Sequence, residues 1–411
     1  MLCRGGTGSR ADYQKPPEIL GVVLILSTSR WFGDTETCPH CAPHQSAHYL
    51  FTKYIVRASS FLFPFPDAIP KYRFGRSRRV WELCANWCAD VLTNILLFLG
   101  IAKADPVANF KSILKPHTLL IAHECARRGL PLFIISVFAR PTPRFFIAAH
   151  DKRVFFDELP IPQAGEKHPF VDKAYVREVL LEHNIPVARG ATLKSFKQAF
   201  ELLDKEYSFP LVVKPRYGSL SRHNTLAIQS IDELQRAIAI AQEIESNFIV
   251  EEQVPGNVCR AILISQKLIA CARREARHLI GDGIHTIEEL AKTSEISFTL
   301  SACNVSPKTV LAKGEKIYIE EKMTAAHKPL IHDVTDNVHA DVRSLLERIS
   351  VIFSTKLIGI DFVAEDVTLP PAKQFFAVLE LNSMPHIALH DNPATGQSRD
   401  IAGPLLDTFL A

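Results

Sequence analysis

The chain has 411 residues, of which 47% are hydrophobic and 22% charged, and its formal net charge is +3. This length exceeds one ordinary core and predicts two or three domains of a soluble globular protein, while the small net charge gives no support for nucleic acid or an anionic membrane as partner. No apolar run reaches the roughly 18–20 residues of a membrane span, and the nine scattered cysteines favour a reducing, cytoplasmic location.

Residues 1–48 are predicted to form an irregular segment that contains its own cysteine and histidine residues. Their spacing is C-x₂-C-x₂-H-x₃-H, over Cys38, Cys41, His44 and His48. Thiolate and imidazole groups at this density can hold Zn²⁺ tetrahedrally, and a redox-active CxxC is a second reading. A plain loop is favoured, because both ligand pairs come from one short stretch whereas zinc sites usually draw the second pair from farther along the chain.

Residues 49–165 are expected to form a small α/β domain. The patterns at Val80–Gly100 and Leu119–Arg128 indicate helices. The apolar stretches at Leu130–Ala139 and Arg144–Asp157 indicate strands.

A proline-rich polar link at Pro160–Pro169 precedes more regular patterns. Asp172 is a good N-cap for a helix that Asn184 and Pro186 end. The elements predicted after it are a strand at Phe209–Pro215, a helix at Ile231–Ile244, a strand at Asn247–Val254, a hairpin at Val258–Glu275, a helix at His339–Phe353 and a second hairpin at Leu357–Asn382.

The last hairpin carries three oxygen-bearing side chains in an apolar setting. Side chains alternate along a strand, so Glu380 and Asn382 share a face, and antiparallel pairing can place Asp361 opposite them. Oxygens of this kind converge on Mg²⁺, which completes its coordination with water and substrate phosphates. The alternative is structural: Glu380 pairs with a buried lysine or arginine, and Asn382 caps the loop before Pro385.

Two lysines and a loop suggest a phosphate site. Lys214 emerges from a buried strand, and Lys173 stands at a helix start, where the helix dipole disfavours a cation unless an anion is shared. The loop Arg216–Asn224 offers small and hydroxyl residues, among them Ser219 and Ser221, whose amides can cradle phosphates. Ordinary surface lysines and an ordinary loop are the alternatives.

Two further segments complete the candidate site. Glu251 and Glu252 lie at a strand end, where exposed backbone can read an adenine edge. Arg273 and Arg277 share one strand face and Arg274 the other, and such arginines can clamp a transferring phosphoryl group. A solvated face is the alternative for the arginines.

The order of "DK" at a helix start, "VVKP", "IVEE", "GIDF" and "LELN" resembles the ATP-grasp superfamily, in particular the ATP-grasp modules of cyanophycin synthetase and bifunctional glutathione synthetases. The resemblance covers about Lys167–Ala411. It implies an α+β ATP-grasp fold that follows the small α/β domain, with a central subdomain at 166–248 and a C-terminal subdomain at 249–411.

The resemblance also implies roles for individual residues. Phosphates of ATP would be held by the two lysines, and adenine by Glu251 and the backbone from Glu252 to Val254. Lys214 and Arg274 would be catalytic, because both would touch the transferring phosphoryl group. The candidate ligands for one or two Mg²⁺ ions are Asp361, Glu380 and Asn382.

Two departures from the family pattern bear on function. The carboxylate expected two positions after Gly256 is absent, which leaves Asn257 as a substitute for ribose binding, and Ser221 and His223 stand where the family often has glycine. The resemblance implies an ATP- and Mg²⁺-dependent carboxylate–amine ligase that works through an acyl phosphate on an amino acid or small peptide. The alternatives are a degenerate nucleotide-binding regulatory protein and an ATP-grasp small-molecule kinase; a homo-oligomer stays open.

Overall fold

The computed structural model describes residues 90–138, 140–149, 152–161, 170, 172–205, 207–217, 223–243, 246–293, 305–318 and 329–411. The Cys38–His48 segment and the loop residues Ser219 and Ser221 lie outside these ranges. The described residues fall into two compact units, one at 275–330 and one made of the remainder. Helices and strands are mixed throughout, which confirms the predicted α+β class.

The amino-terminal part of the larger unit is a four-stranded antiparallel meander in the order β1-β2-β3-β4. Two helices accompany it, as the sequence predicts, and the second has Pro116 at its start, where a missing N–H costs nothing. The elements are α1 at residues 90–98, β1 (Ala102–Pro106), α2 (Pro116–Arg127), β2 (Leu132–Val137), β3 (Arg140–Ala149) and β4 (Lys152–Asp157).

The central sheet of the larger unit is antiparallel, with strand order β5-β8-β6-β7. The predicted N-cap is present, since the Asp172 side chain accepts a hydrogen bond from the Tyr175 amide. The elements are α3 (Lys173–Glu182), β5 (Gly190–Leu193), α4 (Phe196–Lys205), β6 (Leu211–Pro215), β7 (Thr225–Ile228), α5 (Ile231–Gln242) and β8 (Phe248–Glu252).

A five-stranded sheet of order β13-β10-β9-β14-β15 completes the larger unit. Both predicted hairpins are present, and the first turns through Ser265 and Gln266 in the left-handed conformation. The elements are β9 (Asn257–Ile264), β10 (Lys267–Glu275), β13 (Leu330–Asp333), α7 (Ala340–Ile352), β14 (Leu357–Ala364), β15 (Phe376–Asn382) and α8 (Ala402–Leu410).

The smaller unit contains a two-stranded antiparallel ladder and one short helix, namely β11 (His278–Ile280), α6 (Ile287–Thr293) and β12 (Lys316–Tyr318). Its own small core is formed by Leu279, Ile287, Ala291 and Leu311. Within the described residues of the chain, no helix combines the length and apolar character needed to cross a membrane.

The cores of the larger unit fix the ends of the strands that carry the candidate site. One core joins α3 and α7 to β9, β14 and β15, with Phe362 fully buried at its centre. Another joins α2 to the segment after β15 and to α8, through Ile121, Ile387 and Leu405. A third packs α4 and α5 on the central sheet. The domain boundaries at 48, 165 and 248 stay predictions.

Candidate functional site

The last hairpin places two carboxylates face to face. β14 and β15 pair antiparallel with Asp361 opposite Glu380 and Gly359 opposite Asn382, and an irregularity in the ladder follows Asp361. This is the strand pairing that the alternation of side chains suggests. A one-residue slip would move Asp361 to the other face of β14, away from Arg260 and Asn382, so these polar contacts favour the observed register.

Asp361 is held by two arginines that lie on neighbouring strands. Its carboxylate accepts two hydrogen bonds from the Arg260 guanidinium, one of them 2.5 Å long at Nη2, and Nη2 of Arg274 lies 3.3 Å from Oδ1. The Asn382 amide donates at 3.4 Å. Burial alone would raise the pKa of Asp361, but the charges of Arg260 and Arg274 outweigh it and hold that pKa below its usual value. Asp361 is therefore an ionised, paired carboxylate.

Glu380 has a different environment. Its side chain is 21% exposed, and Nζ of Lys173 lies 3.9 Å from Oε1, which is at the limit of an ion pair. The structural alternative from the sequence, a buried cation beside Glu380, is thus present but loose. The tight ion pair is formed by Asp361, for which the sequence analysis predicted no arginine partner.

Lys173, Lys214 and Glu251 line one pocket together with Glu380. The pocket is partly open to solvent and has a cavity volume of about 20 Å³, and Val187 is among its apolar walls. Lys214 forms an ion pair with Glu251 at 2.7 Å. Burial lowers the pKa of Lys173, and the charge of Glu380 opposes this shift. An anion bound beside the Lys173 ammonium would therefore stabilise its charged form.

The start of α3 is built to hold Lys173 in place. Asp172 caps the helix and accepts two hydrogen bonds from the Arg216 guanidinium, at 2.9 and 2.8 Å. The Tyr217 hydroxyl donates to the same carboxylate at 3.1 Å. The Lys173 amide donates in turn to the Arg216 carbonyl at 3.0 Å. The lysine therefore projects from a braced helix end and not from a free surface.

The segment after β8 is tightly seated on β14. Gly256 has φ +127, and a Cβ there would lie 2.8 Å from Val363 Cγ1, so only glycine fits. The Asn257 side chain donates to the Glu365 carbonyl at 2.7 Å. Glu252 is turned away from the pocket, where it accepts from the Ser208 amide at 3.0 Å.

Two arginines of the site, Arg177 and Arg260, were not predicted from the sequence. Arg177, on α3, donates to the Ala188 and Gly190 carbonyls, and its Nη1 lies 3.8 Å from Glu251. Arg260 sits in the apolar run "VCRAIL" with 8% exposure. Glu380 was identified as a candidate because it is a charged residue within an apolar strand sequence. Arg260 has the same property and could have been identified in the same way.

Across the described ranges, no group of three or more His, Cys, Asp or Glu side chains is arranged to hold a metal ion. Asp361, Glu380 and Asn382 supply two carboxylates and one carboxamide, which lie on two adjacent strands. This donor set suits a hard cation, although the Asp361 oxygens are already engaged by arginine.

Sequence comparison finds similarity to two named groups of proteins, the cyanophycin synthetases and the glutathione biosynthesis bifunctional proteins. The cyanophycin synthetase of Crocosphaera subtropica is 28% identical over 320 residues, covering 72% of this chain and 36% of that protein. That of Geminocystis herdmanii is 28% identical over 366 residues, covering 80% and 42%. The glutathione biosynthesis bifunctional protein of Listeria monocytogenes is 26% identical over 263 residues, covering 57% and 33%. The chain thus spans well under half the length of these relatives.

The fold comparison agrees. A bifunctional glutathione synthetase from Pasteurella multocida superimposes with a TM-score of 0.54 at 15% identity, covering 73% of this chain and 44% of that one. At this identity the match concerns the fold alone. No protein-family model matches the chain.

Proposed function

Because the chain is a homologue of the ATP-grasp ligases, we propose that it is an ATP- and Mg²⁺-dependent carboxylate–amine ligase. The acyl donor would be an amino acid or small peptide, and the product an amide or peptide bond. Since the chain spans only part of each relative, the proposal rests on its own site residues.

One observation carries the proposal: cationic and anionic side chains face each other across a single pocket. Lys173 and Lys214 approach from α3 and β6, and Glu380 approaches from β15. The lysines suit the phosphates of a nucleotide, and Glu251 with the β8 backbone suits adenine. Lys214 then exchanges its partner Glu251 for phosphate when the nucleotide binds.

Glu380 and Asn382 offer oxygens that suit Mg²⁺. Asp361 offers one only if one of its present arginine contacts is released. Four lone-pair directions are available on a carboxylate, and Asp361 uses its two oxygens to accept from Arg260, Arg274 and Asn382. The Arg274 contact is the longer of its two arginine pairings, at 3.3 Å. Asp361 would therefore contribute an oxygen to the metal once Arg274 turns toward phosphate.

The proposed chemistry has two steps. A substrate carboxylate attacks the γ-phosphorus of ATP, ADP leaves, and an acyl phosphate forms; an amine then attacks the acyl carbon and phosphate leaves. Mg²⁺, when bound, neutralises charge that develops on the phosphate oxygens. Lys173 and Lys214 hold the phosphates, and Arg274 binds the transferring phosphoryl group. The protein positions the reactants and excludes water, which would hydrolyse the acyl phosphate.

Asn257 remains the proposed ribose contact, although its side chain already donates to the Glu365 carbonyl. Its oxygen is the atom left to accept from a ribose hydroxyl. The loop Arg216–Asn224, which contains Ser219 and Ser221, is proposed from the sequence alone to bind phosphates through its backbone amides.

The test is ADP release from the purified chain with ATP, Mg²⁺ and pooled amino acids and dipeptides, followed by mass spectrometry of the products. We expect ADP only when an acyl donor and an amine are both present, together with a product whose mass is the sum of two pool members minus water. Glu380→Gln is the matched control, since it keeps shape and removes the charge. Nucleotide binding without any condensation product across the pools would overturn the ligase proposal.

A second candidate, a nucleotide-binding regulatory protein without turnover, is favoured by the Asp361 pairing. If Arg260 and Arg274 never release Asp361, the metal lacks one ligand and phosphoryl transfer fails. Calorimetry separates the two candidates. The regulatory protein binds a non-hydrolysable ATP analogue equally well in the wild type and in Glu380→Gln, whereas the ligase loses part of its Mg²⁺-dependent affinity in that variant.

A further inference from the structure

Three histidines form a cluster beside the arginines of the candidate site, and the proposed reaction does not use them. His117 is the second residue of α2, His386 follows β15, and His390 ends the short 3-10 helix Ile387–His390. The rings of His117 and His386 meet edge to face, with centroids 5.9 Å apart. We call His117, His386 and His390 the imidazole cluster.

The nitrogens of the imidazole cluster lack hydrogen-bond partners among the described residues. Both ring nitrogens of His117 and of His390, and Nδ1 of His386, are buried and make no hydrogen bond with the described residues, although Nε2 of His117 lies 3.9 Å from Oε2 of Glu158. Leaving a buried polar group unpaired destabilises the folded state. Native structures retain such groups where a ligand, an ion or water completes them. Five unpaired nitrogens in one place thus point to a polar ligand.

The surrounding charge decides the sign of that ligand. Arg260 and Arg274 act on both His386 and His390, and Lys115 acts on His117 and His386. The nearby carboxylates are paired: Glu158 with Lys115 at 2.9 Å, Asp333 with Arg399 at 2.6 Å, and Asp361 with Arg260. Arg274, whose contact with Asp361 is longer at 3.3 Å, is therefore the least compensated cation beside the cluster.

The positive surroundings also fix the protonation state of the imidazoles. Burial and these cations lower the pKa of His117 to about 4 and of His390 to about 3, and lower the pKa of His386. The neutral rings each offer one N–H donor. An ammonium ligand is disfavoured by the same charges, whereas an oxyanion gains from both the donors and the field.

The position of the imidazole cluster relates it to the reaction. Asn382, a candidate metal ligand, lies four residues before His386. The intervening loop is pressed on β14, since a Cβ on Gly359 would lie 2.7 Å from Pro385 Cβ and 3.4 Å from Arg260 Nη1. His117 and His386 are both partly buried, whereas His390 is buried, so the first two are the members that a ligand can reach from solvent. Ile121 of α2 and Ile387 belong to one core, which holds the two segments that carry these histidines together.

We propose that the imidazole cluster is a substrate subsite that binds a carboxylate other than the one that is activated. This inference rests on the proposed ligase function and deepens it: the substrate would be an amino acid, peptide or dicarboxylate with a second free carboxylate. Binding that carboxylate raises the pKa of the imidazoles it contacts, so binding should be accompanied by proton uptake.

The test is isothermal titration calorimetry on the full chain, first with a non-hydrolysable ATP analogue and Mg²⁺. The loaded chain is then titrated with the standard amino acids and dipeptides, with simple dicarboxylates, and with the matching amide of each. We expect at least one free acid to bind while its amide does not. Titration in two buffers of different ionisation enthalpy should reveal net proton uptake. His386→Gln and His117→Gln should weaken binding at least tenfold and abolish the proton uptake.

His123→Gln is the matched control, because His123 lies on the same helix and is exposed. Equal binding of acid and amide, unchanged affinity in folded cluster variants, or no acid bound by the loaded chain would each overturn the subsite. The thermal midpoint of each variant shows that it is folded. If the ATP analogue itself fails to bind, the proposed function is at fault, and the same panel titrated into the nucleotide-free chain still decides the subsite.

Discussion

Acidification should unfold this protein through two of its buried imidazoles. His390 is 2% exposed and the His117 side chain 14% exposed, and burial holds the pKa of the first at about 3 and of the second at about 4. In the unfolded chain both return to about 6.5. The unfolded state therefore binds more protons below about pH 6.5, and stability falls as pH decreases through that window.

The size of the effect follows from these values. At about pH 5 an unfolded histidine is almost fully protonated, whereas His117 and His390 remain mostly neutral in the folded chain. The difference is worth about 2 kcal/mol per residue relative to about pH 7.5, and about 4 kcal/mol for the pair. This is a large share of the about 5–15 kcal/mol that stabilises a typical domain.

The assay is urea unfolding followed by far-ultraviolet circular dichroism at both pH values. His390→Leu removes one titrating ring, so the loss of stability between the two pH values should shrink by about 2 kcal/mol. Carboxylates contribute equally to wild type and variant, and they cancel in this difference. His123→Gln should keep the wild-type loss. A His390→Leu variant with the full wild-type loss would refute a neutral, buried His390.

Three further outcomes are expected. Arg260→Leu leaves Asp361 buried without its bidentate partner and should cost about 3–5 kcal/mol in urea unfolding. Asp361→Leu in the same chain should restore only part of this loss, because Arg274 then loses its own carboxylate partner; a double variant no more stable than Arg260→Leu would contradict this. Gly256→Ala forces φ +127 on a residue whose Cβ would lie 2.9 Å from the Ala364 carbonyl oxygen, so thermal unfolding should show a loss of about 1–3 kcal/mol. Lys173→Met should leave the free energy of unfolding unchanged or higher, because it removes a buried ammonium group. The affinity for an ATP analogue should fall at least tenfold, and an unchanged affinity would show that Lys173 does not bind phosphate.

Local patterns predicted the elements that position the site. The sequence predicted that a helix starts at Asp172, and in the structure the Asp172 carboxylate is the N-cap. The two-residue period around Asp361 and Glu380 predicted a hairpin with these side chains opposed, and the ladder pairs them directly. These features are local: each depends on residues close in sequence, or on one short connection.

The partners of these side chains depended on contacts between distant segments. Arg260 reaches Asp361 because β9 pairs with β14, two strands separated by about a hundred residues. His117 meets His386 because α2 packs on the segment after β15. No sequence period or motif in one segment indicates that it contacts the other. The sequence therefore predicted which residues are candidates for the chemistry, but not which of them pair with each other.

The arginine pairing changes which substitution is informative about catalysis. Asp361 both completes a buried ion pair and is a candidate metal ligand, so replacing it alters folding and chemistry together. Glu380 faces the pocket with 21% exposure and only a 3.9 Å contact to Lys173, so its charge contributes little to stability. Loss of turnover in Glu380→Gln with unchanged unfolding would therefore report on chemistry alone. The same loss in Asp361→Asn would not distinguish a missing metal ligand from two unpaired guanidinium groups.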